Sequence, residues 1–300
     1  MRFIKPVEVT PGKLTFSNVP ETDNPVWSVT TAYAIKAKVM LDHRNYEALA
    51  AVPAGVKPGA EVITDASPAK WLDLGATNKW KMFDEVVGTV TTNPGSVTVT
   101  INPGEVVNSL ALINVNGESV SVVMTDPIEG IVATRNYSLI DGAVDNWYDW
   151  FFEEIEYRTN IVALDLPAYG TATVTVTVSS SGSAGIGALV VGKLAEIGDA
   201  LYGTDVGIDD YSIKERNKDF GGWVVTEREF SDTAKFPVKV ATSRIPKIKR
   251  MLTEVRAKPV VWIGEATYEA TILYGFYTSF GLVYSGPDVS DCQLSIEGLI

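Results

Sequence analysis

The stretch at residues 145–179, DNWYDWFFEEIEYRTNIVALDLPAYGTATVTVTVSS, decides the fold class. Its segment 171–178 alternates strictly, and Val174, Val176 and Val178 fall at every second place. Successive strand side chains point to opposite faces, so period two marks a strand with one buried face. Before it come the turn Pro167-Ala168-Tyr169-Gly170 and the apolar run 161–166, which reads as a second strand. The stretch opens on the aromatics Trp147, Tyr148, Trp150, Phe151 and Phe152. Between strands, Trp147, Trp150 and Phe151 are expected in the core or at a domain interface, because aromatics bury large areas. Carboxylates flank them at Asp145, Asp149, Glu153, Glu154 and Glu156. Such groups can form a glycosidase pair or a calcium site, but the expectation here is a solvated rim.

Outward from this stretch, residues 84–215 read as consecutive short strands. Segment 86–92 leads to the turn Asn93-Pro94-Gly95, then 96–101 alternates as SVTVTI. A second turn follows at Asn102-Pro103-Gly104. The run VVNSLALINV is apolar enough for a central strand. Asn116-Gly117 is a two-residue hairpin signal, and 131–138, 172–178 and 186–194 continue the pattern. Short strands between Pro/Gly turns predict a β-sandwich or jelly roll. Gly185 and Gly187 sit in such a strand. The third glycine of a dinucleotide-binding pattern is replaced by Val190, so they read as close-packing positions.

Residues 1–26 are extended and broken by Pro6, Pro11 and Pro20, which keep out a helix. They read either as an arm reaching a neighbour or as a terminal strand of the same subunit. Residues 27–83 form a small aromatic-rich unit holding Trp27, Tyr33, Tyr46, Trp71 and Trp80. Two β-like runs are expected in it, at 33–41 and 44–50. Its order of aromatics, Pro/Gly loop and WLDLG resembles carbohydrate-binding modules of the chitin-binding type. That resemblance implies sugar-stacking roles for the five aromatics; the alternative is a mini-core. The single histidine, His43, lacks a second histidine or a cysteine pair for a metal site, and no nucleophile motif accompanies it. No cofactor is expected.

Residues 216–300 change to an α+β pattern. WVVTEREFSDTAKFPVKVAT is expected to be a hairpin. SRIPKIKRMLTEVRAK is the clearest helix, with Ile245, Ile248, Leu252 and Val255 on one face. Ser243 is the expected N-cap, with Pro246 in the first turn. Lys247, Lys249, Arg250, Arg256 and Lys258 give this helix a basic face, a candidate assembly interface with an acidic neighbour. Strands complete the unit.

The net charge of −12 argues against a general nucleic-acid binder, which needs a basic face for phosphates. A lone cysteine, Cys292, permits no intrachain disulfide and reads as a buried strand residue. The first residues lack an apolar core of signal-peptide length, and no apolar run approaches the ~18 residues of a membrane span. Synthesis in a cytoplasm and no membrane insertion are the resulting expectations.

Four segments in succession carry a wider resemblance: WLDLGATNKWKMFD, the stretch 145–179, GIGALVVGKLAEIGDALYGTDVGIDDYS, and VVWIGEATYEATILYGFYTSFGLVYS with DCQLSIEGL. Together they resemble virion proteins encoded in the tail modules of tailed bacteriophages, described as carrying a galactose-binding-like, carbohydrate-binding-like sandwich. The last unit is similar in element order to tail-tube-like modules that form rings. The resemblance implies a structural protein of the tail tip, baseplate or a fibre anchor. Its partners would be other tail proteins and further copies of itself, and its location the virion. A host-surface glycan-binding role is the alternative, and a glycan-degrading enzyme ranks third.

Overall fold

The computed structural model describes residues 1–60, 68–141, 147–152, 156–216 and 221–300. The fold is mainly β and sandwich-like. In chain order the strands are β1 (Arg2–Pro6), β2 (Leu14–Ser17), β3 (Lys38–Leu41), β4 (Arg44–Ala48), β5 (Trp71–Ala76) and β6 (Thr91–Ile101). Then follow β7 (Ser109–Asn116), β8 (Ser119–Asp126), β9 (Gly130–Ser138), β10 (Ile140–Asp141), the short helix α1 (Trp147–Phe152), β11 (Glu156–Tyr157) and β12 (Ile161–Ala163). The remainder comprises β13 (Thr173–Glu196), β14 (Asp199–Ala200), β15 (Asp205–Asp210), β16 (Ile213–Arg216), β17 (Trp223–Thr226), β18 (Phe230–Ala241), helix α2 (Ile245–Glu254), β19 (Val260–Ile263), β20 (Ile272–Val283) and β21 (Val289–Gly298).

The two expected strands at 172–178 and 186–194 are one strand of 24 residues, β13. One of its edges is paired by β8 and then by β7, the other by β6 and then by β1. The ladder is irregular between Ser179 and Ser183, and the partner strand is irregular opposite it, at Pro94 and Gly95. Gly95 has a φ of 75°, a conformation glycine adopts without steric cost. Asn93-Pro94-Gly95 therefore bends a continuous strand instead of turning between two, and 86–92 becomes a strand only from Thr91. Gly185 and Gly187 are close-packing positions. A Cβ on Gly187 would lie 2.8 Å from the Val87 carbonyl oxygen, and one on Gly185 2.9 Å from a Val90 methyl.

The first core is the interior of the bent sheet, filled by Val97, Leu112, Val122, Val174, Ile186 and their neighbours. β1 enters between β13 and β19, so the chain's first strand is a central strand of its own subunit. β2 lies along β6, and Val19 is buried in the first core. The last unit is the sheet β1-β19-β20-β21-β18, with α2 on one face. Phe3, Phe236, Val238, Trp262 and Leu294 share a core there with Ile248 and Leu252 of the helix and with Val255 just after it. The opposite face, at its β1–β19–β20 end, shares a third core with β7 and β13 through Ile4, Ile113, Val190 and Ile263.

Three expectations fail. Asn116-Gly117 is not a hairpin turn: β7 and β8 follow one another in the same direction along one edge of β13, so the chain bends there beside the bend in β13. Trp147 is 80% exposed and Phe151 70% exposed. The cause is local: these residues form a short helix and not a strand of the sandwich, so the one-face burial of a sheet does not extend to them. Trp150's side chain lies outside the described residues. The segment expected as a hairpin, 223–242, does not pair with itself; β17 pairs with β16, and β18 with β15 and β21.

At Gly192 a Cβ would sit 2.0 Å from the Lys5 carbonyl oxygen of β1. Gly192→Ala should therefore lose roughly 1–3 kcal/mol of stability through overpacking. Gly182→Ala, in open space at the bend, should stay within about 0.5 kcal/mol of wild type. Urea denaturation of both variants measures the difference.

Candidate assembly surface

The small unit is a three-stranded sheet, β3-β4-β5. Its two-residue turn, Asp42-His43, has positive φ at both positions, as the tightest hairpin turns require. Tyr46 and Trp71 are buried with Val39, Ala48 and Val52, and Trp27 and Tyr33 pack half-buried around them. The Tyr33 ring meets Trp71 edge-on at 5.4 Å, and the Trp71 indole donates to the Val56 carbonyl at 3.2 Å. Trp80 is buried between His43, at 4.4 Å, and Phe83, at 5.7 Å. Tyr46, Trp71 and Trp80 thus have no open ring face to offer a sugar. A three-stranded unit has little other apolar volume, so it spends its aromatics on its own core. The β-like runs shorten to Lys38–Leu41 and Arg44–Ala48. His43 Nδ1 lies 2.8 Å from Glu21, which also accepts from Thr77 Oγ1 at 2.8 Å. This histidine ties the turn to the preceding chain.

The basic helix is built as expected on its apolar side. Ile245, Ile248 and Leu252 are buried, and Pro246 stands in the first turn. Ser243 is not the cap. A short 3-10 turn, Thr242–Arg244, runs straight into the helix, and no side chain caps it. The outer side carries Pro246, Lys247, Lys249, Arg250, Thr253 and Glu254, all exposed; Arg256 and Lys258, expected on the helix, stand in the exposed turn after it, because the helix ends at Glu254. Glu254 is paired with Lys5 at 2.9 Å, which holds its carboxyl below the usual range. Lys247, Lys249, Arg250, Arg256 and Lys258 make no ion pair among the described residues.

The feature the sequence reading missed is a two-stranded ribbon. β15 pairs with the start of β18, and β16 pairs with β17 in nearly the same register, Asp210 opposite Phe230 and Ile213 opposite Thr226. β21 accompanies β18 only from Thr233 onward. The part beyond runs free for roughly 25 Å at strand rise. On β18, Phe230, Asp232 and Ala234 share the face that α2 covers further along, and Val206 and Ile208 stand opposite Ala234 and Asp232. Ile208 is 66% exposed, Phe230 53% and Trp223 64%. The core face of the last sheet therefore continues, uncovered, onto the ribbon. The available signal was Gly221-Gly222 between two polar-apolar runs. Its partner run lies upstream, beside Asp205, whereas the sequence reading paired the downstream run with itself.

Asp145, Glu153 and Glu154 lie outside the described residues, as does the side chain of Asp149. Glu156 is exposed in β11. No cluster of three or more potential metal ligands occurs among the described residues. Cys292 is buried in β21, and burial pushes its thiol up to about 11. A recess of about 470 Å³ opens beside Met1, Asp199, Tyr202, Glu265 and Tyr268. There the N-terminal amine donates to the Gly198 carbonyl at 2.6 Å. No protein family matches this chain, and no curated protein or solved structure is significantly similar to it.

Removing a buried aromatic of this size costs about 3–5 kcal/mol. Trp71→Ala should therefore expose residues 27–60 to limited proteolysis. Trp223→Ala, on the free ribbon, should leave the cleavage pattern and denaturation midpoint within error. A buried thiol that stays protonated at pH 8 should react with an aromatic disulfide reagent only after urea is added, because the thiolate is the nucleophile. Reaction of Cys292 in the folded protein at the rate of a free thiol would contradict this burial.

Proposed function

We propose that this chain is a structural, non-catalytic component of a bacteriophage tail, at the tip, the baseplate or a fibre-anchoring ring. It would be made in the bacterial cytoplasm, carried in the virion, and held by contacts with other tail proteins and copies of itself. The observation that carries the reading is the ribbon formed by residues 205–216 and 223–235. Two strands alone are at best marginally stable in water, and this pair leaves Val206, Ile208, Trp223 and Phe230 exposed. A projecting strand pair with an uncovered apolar face gains stability by lying against another protein. The rest of the chain supports the reading: a sandwich, then a sheet carrying one helix, matches the element order of ring-forming tail modules.

The glycan-binding alternative was attached to the five aromatics of the small unit. It loses support where Tyr46, Trp71 and Trp80 are buried. The depolymerase alternative rests on Asp145, Glu153 and Glu154, which lie outside the described residues.

Sedimentation of the purified chain at tens of micromolar should show a discrete oligomer, or the chain should be recovered from tail particles in fixed copy number. A monomer that stays monomeric at high concentration and binds no virion protein would remove the basis of the proposal.

A further inference from the structure

The chain carries two unpartnered surfaces of opposite sign. Within residues 205–216 and 223–235 there are seven carboxylates, Asp205, Asp209, Asp210, Glu215, Glu227, Glu229 and Asp232, against the four cations Lys214, Arg216, Arg228 and Lys235. Two of the seven are engaged inside the ribbon, Asp210 by Lys214 at 2.7 Å and Asp205 by Lys235 at 3.7 Å. Asp209, Glu215, Glu227 and Glu229 make no ion pair among the described residues. The outer side of α2 is the reverse, with the three unpaired cations Lys247, Lys249 and Arg250 beside one engaged carboxylate, and Arg256 and Lys258 add two more in the turn that follows.

The shapes also suit each other. A shallow groove of about 650 Å³ lies along α2, lined by Pro246, Lys249, Arg250, Thr253 and Glu254. Lysine and arginine stems present methylenes along such a groove and keep their charges at its rim. Alternation puts Asp209 and Glu229 on the ribbon face opposite Ile208 and Phe230, and it is this carboxylate face that can meet the ammonium and guanidinium groups.

We propose that the ribbon of one copy docks on the outer face of α2 of a second copy, an inference that rests on the assembly reading above. The ribbon cannot reach its own helix in this way. It continues the plane of the sheet on which α2 lies, while the cations look away from that sheet. A self-contact would require breaking the pairing of β15 with β18. In a chain of net charge −12, copies repel one another except where the basic helix face is presented, so charge selects the register of contact. Because the two surfaces differ, the contact is head-to-tail, and repetition closes a ring or extends a filament.

The test uses two triple variants of the full chain. The first reverses the ribbon, Asp209→Lys, Glu227→Lys and Glu229→Lys; the second reverses the helix, Lys247→Glu, Lys249→Glu and Arg250→Glu. All six positions are exposed, and circular dichroism should match wild type in both. Like charges brought together cost several kcal/mol across an interface, so each variant should self-associate at least about tenfold more weakly. The chain combining both sets, and an equimolar mixture of the two variants, should recover association. Wild-type assembly that both triple variants retain would overturn the docking and leave the tail reading standing. A wild-type chain that binds tail particles through its ribbon but never another copy would overturn it as well. A wild-type chain that neither self-associates nor binds a virion protein would sink the tail reading too.

Discussion

Backbone hydrogen bonding along β13 sets the arrangement of the larger part of the molecule. Its buried residues leave no room for water, so each peptide group there must find a partner on a neighbouring strand or cost about 1–3 kcal/mol. No single partner is long enough. β7 serves Gly192 back to Gly185 on one edge and β8 continues in the same direction along Ser179 to Thr173, the chain bending between them at Asn116-Gly117. On the other edge β6 runs as far as Ile186, and β1 takes over from Gly192. The strand drawn from the start of the chain thus completes the ladder, and its other edge pairs with β19. One requirement makes the sandwich and the last sheet a single hydrogen-bonded system.

That requirement also explains which parts of the fold the sequence displays. Alternation of Thr and Val in 171–178 and the helical spacing of Ile245, Ile248 and Leu252 are local consequences of burial on one side. Each element exists where its pattern stands. Continuity does not show in a local pattern. Pro94 and Gly95 look like a turn because a bend and a turn use the same residues, and only the matching irregularity at Ser179–Ser183 tells them apart. Pairing of β17 and β18 with β16 and β15 escaped for the same reason, since alternation identifies a strand without naming its partner. Trp147 and Phe151 misled in another way. Aromatics predict burial only if an element lies over them, and the rings of Trp147 and Phe151 stand exposed.

The small unit shows why the same residues supported two readings. A sugar platform and a mini-core both need flat aromatic rings in a short sheet. What separates them is where the rings face, and this depends on total apolar volume. With Val39, Ala48 and Val52 as the remaining buried aliphatics, the unit has no core without Tyr46 and Trp71. The need for a core takes precedence over any ligand, and the candidate surface moves elsewhere.

It moves to β18, whose two halves meet different fates. From Thr233 onward its apolar face is closed by α2, through Phe236, Val238 and Val240 against Ile248 and Leu252. Before Thr233 the same face runs on without a helix above it. A helix of ten residues spans about 15 Å, whereas a strand of twelve spans about 40 Å, so one α2 cannot cover one β18. The mismatch leaves an apolar remainder at one end of the strand and a basic outer face on the helix at the other. A monomer has no means of joining them. In the head-to-tail docking proposed above a second copy does, and this geometric shortfall is the physical argument for that proposal.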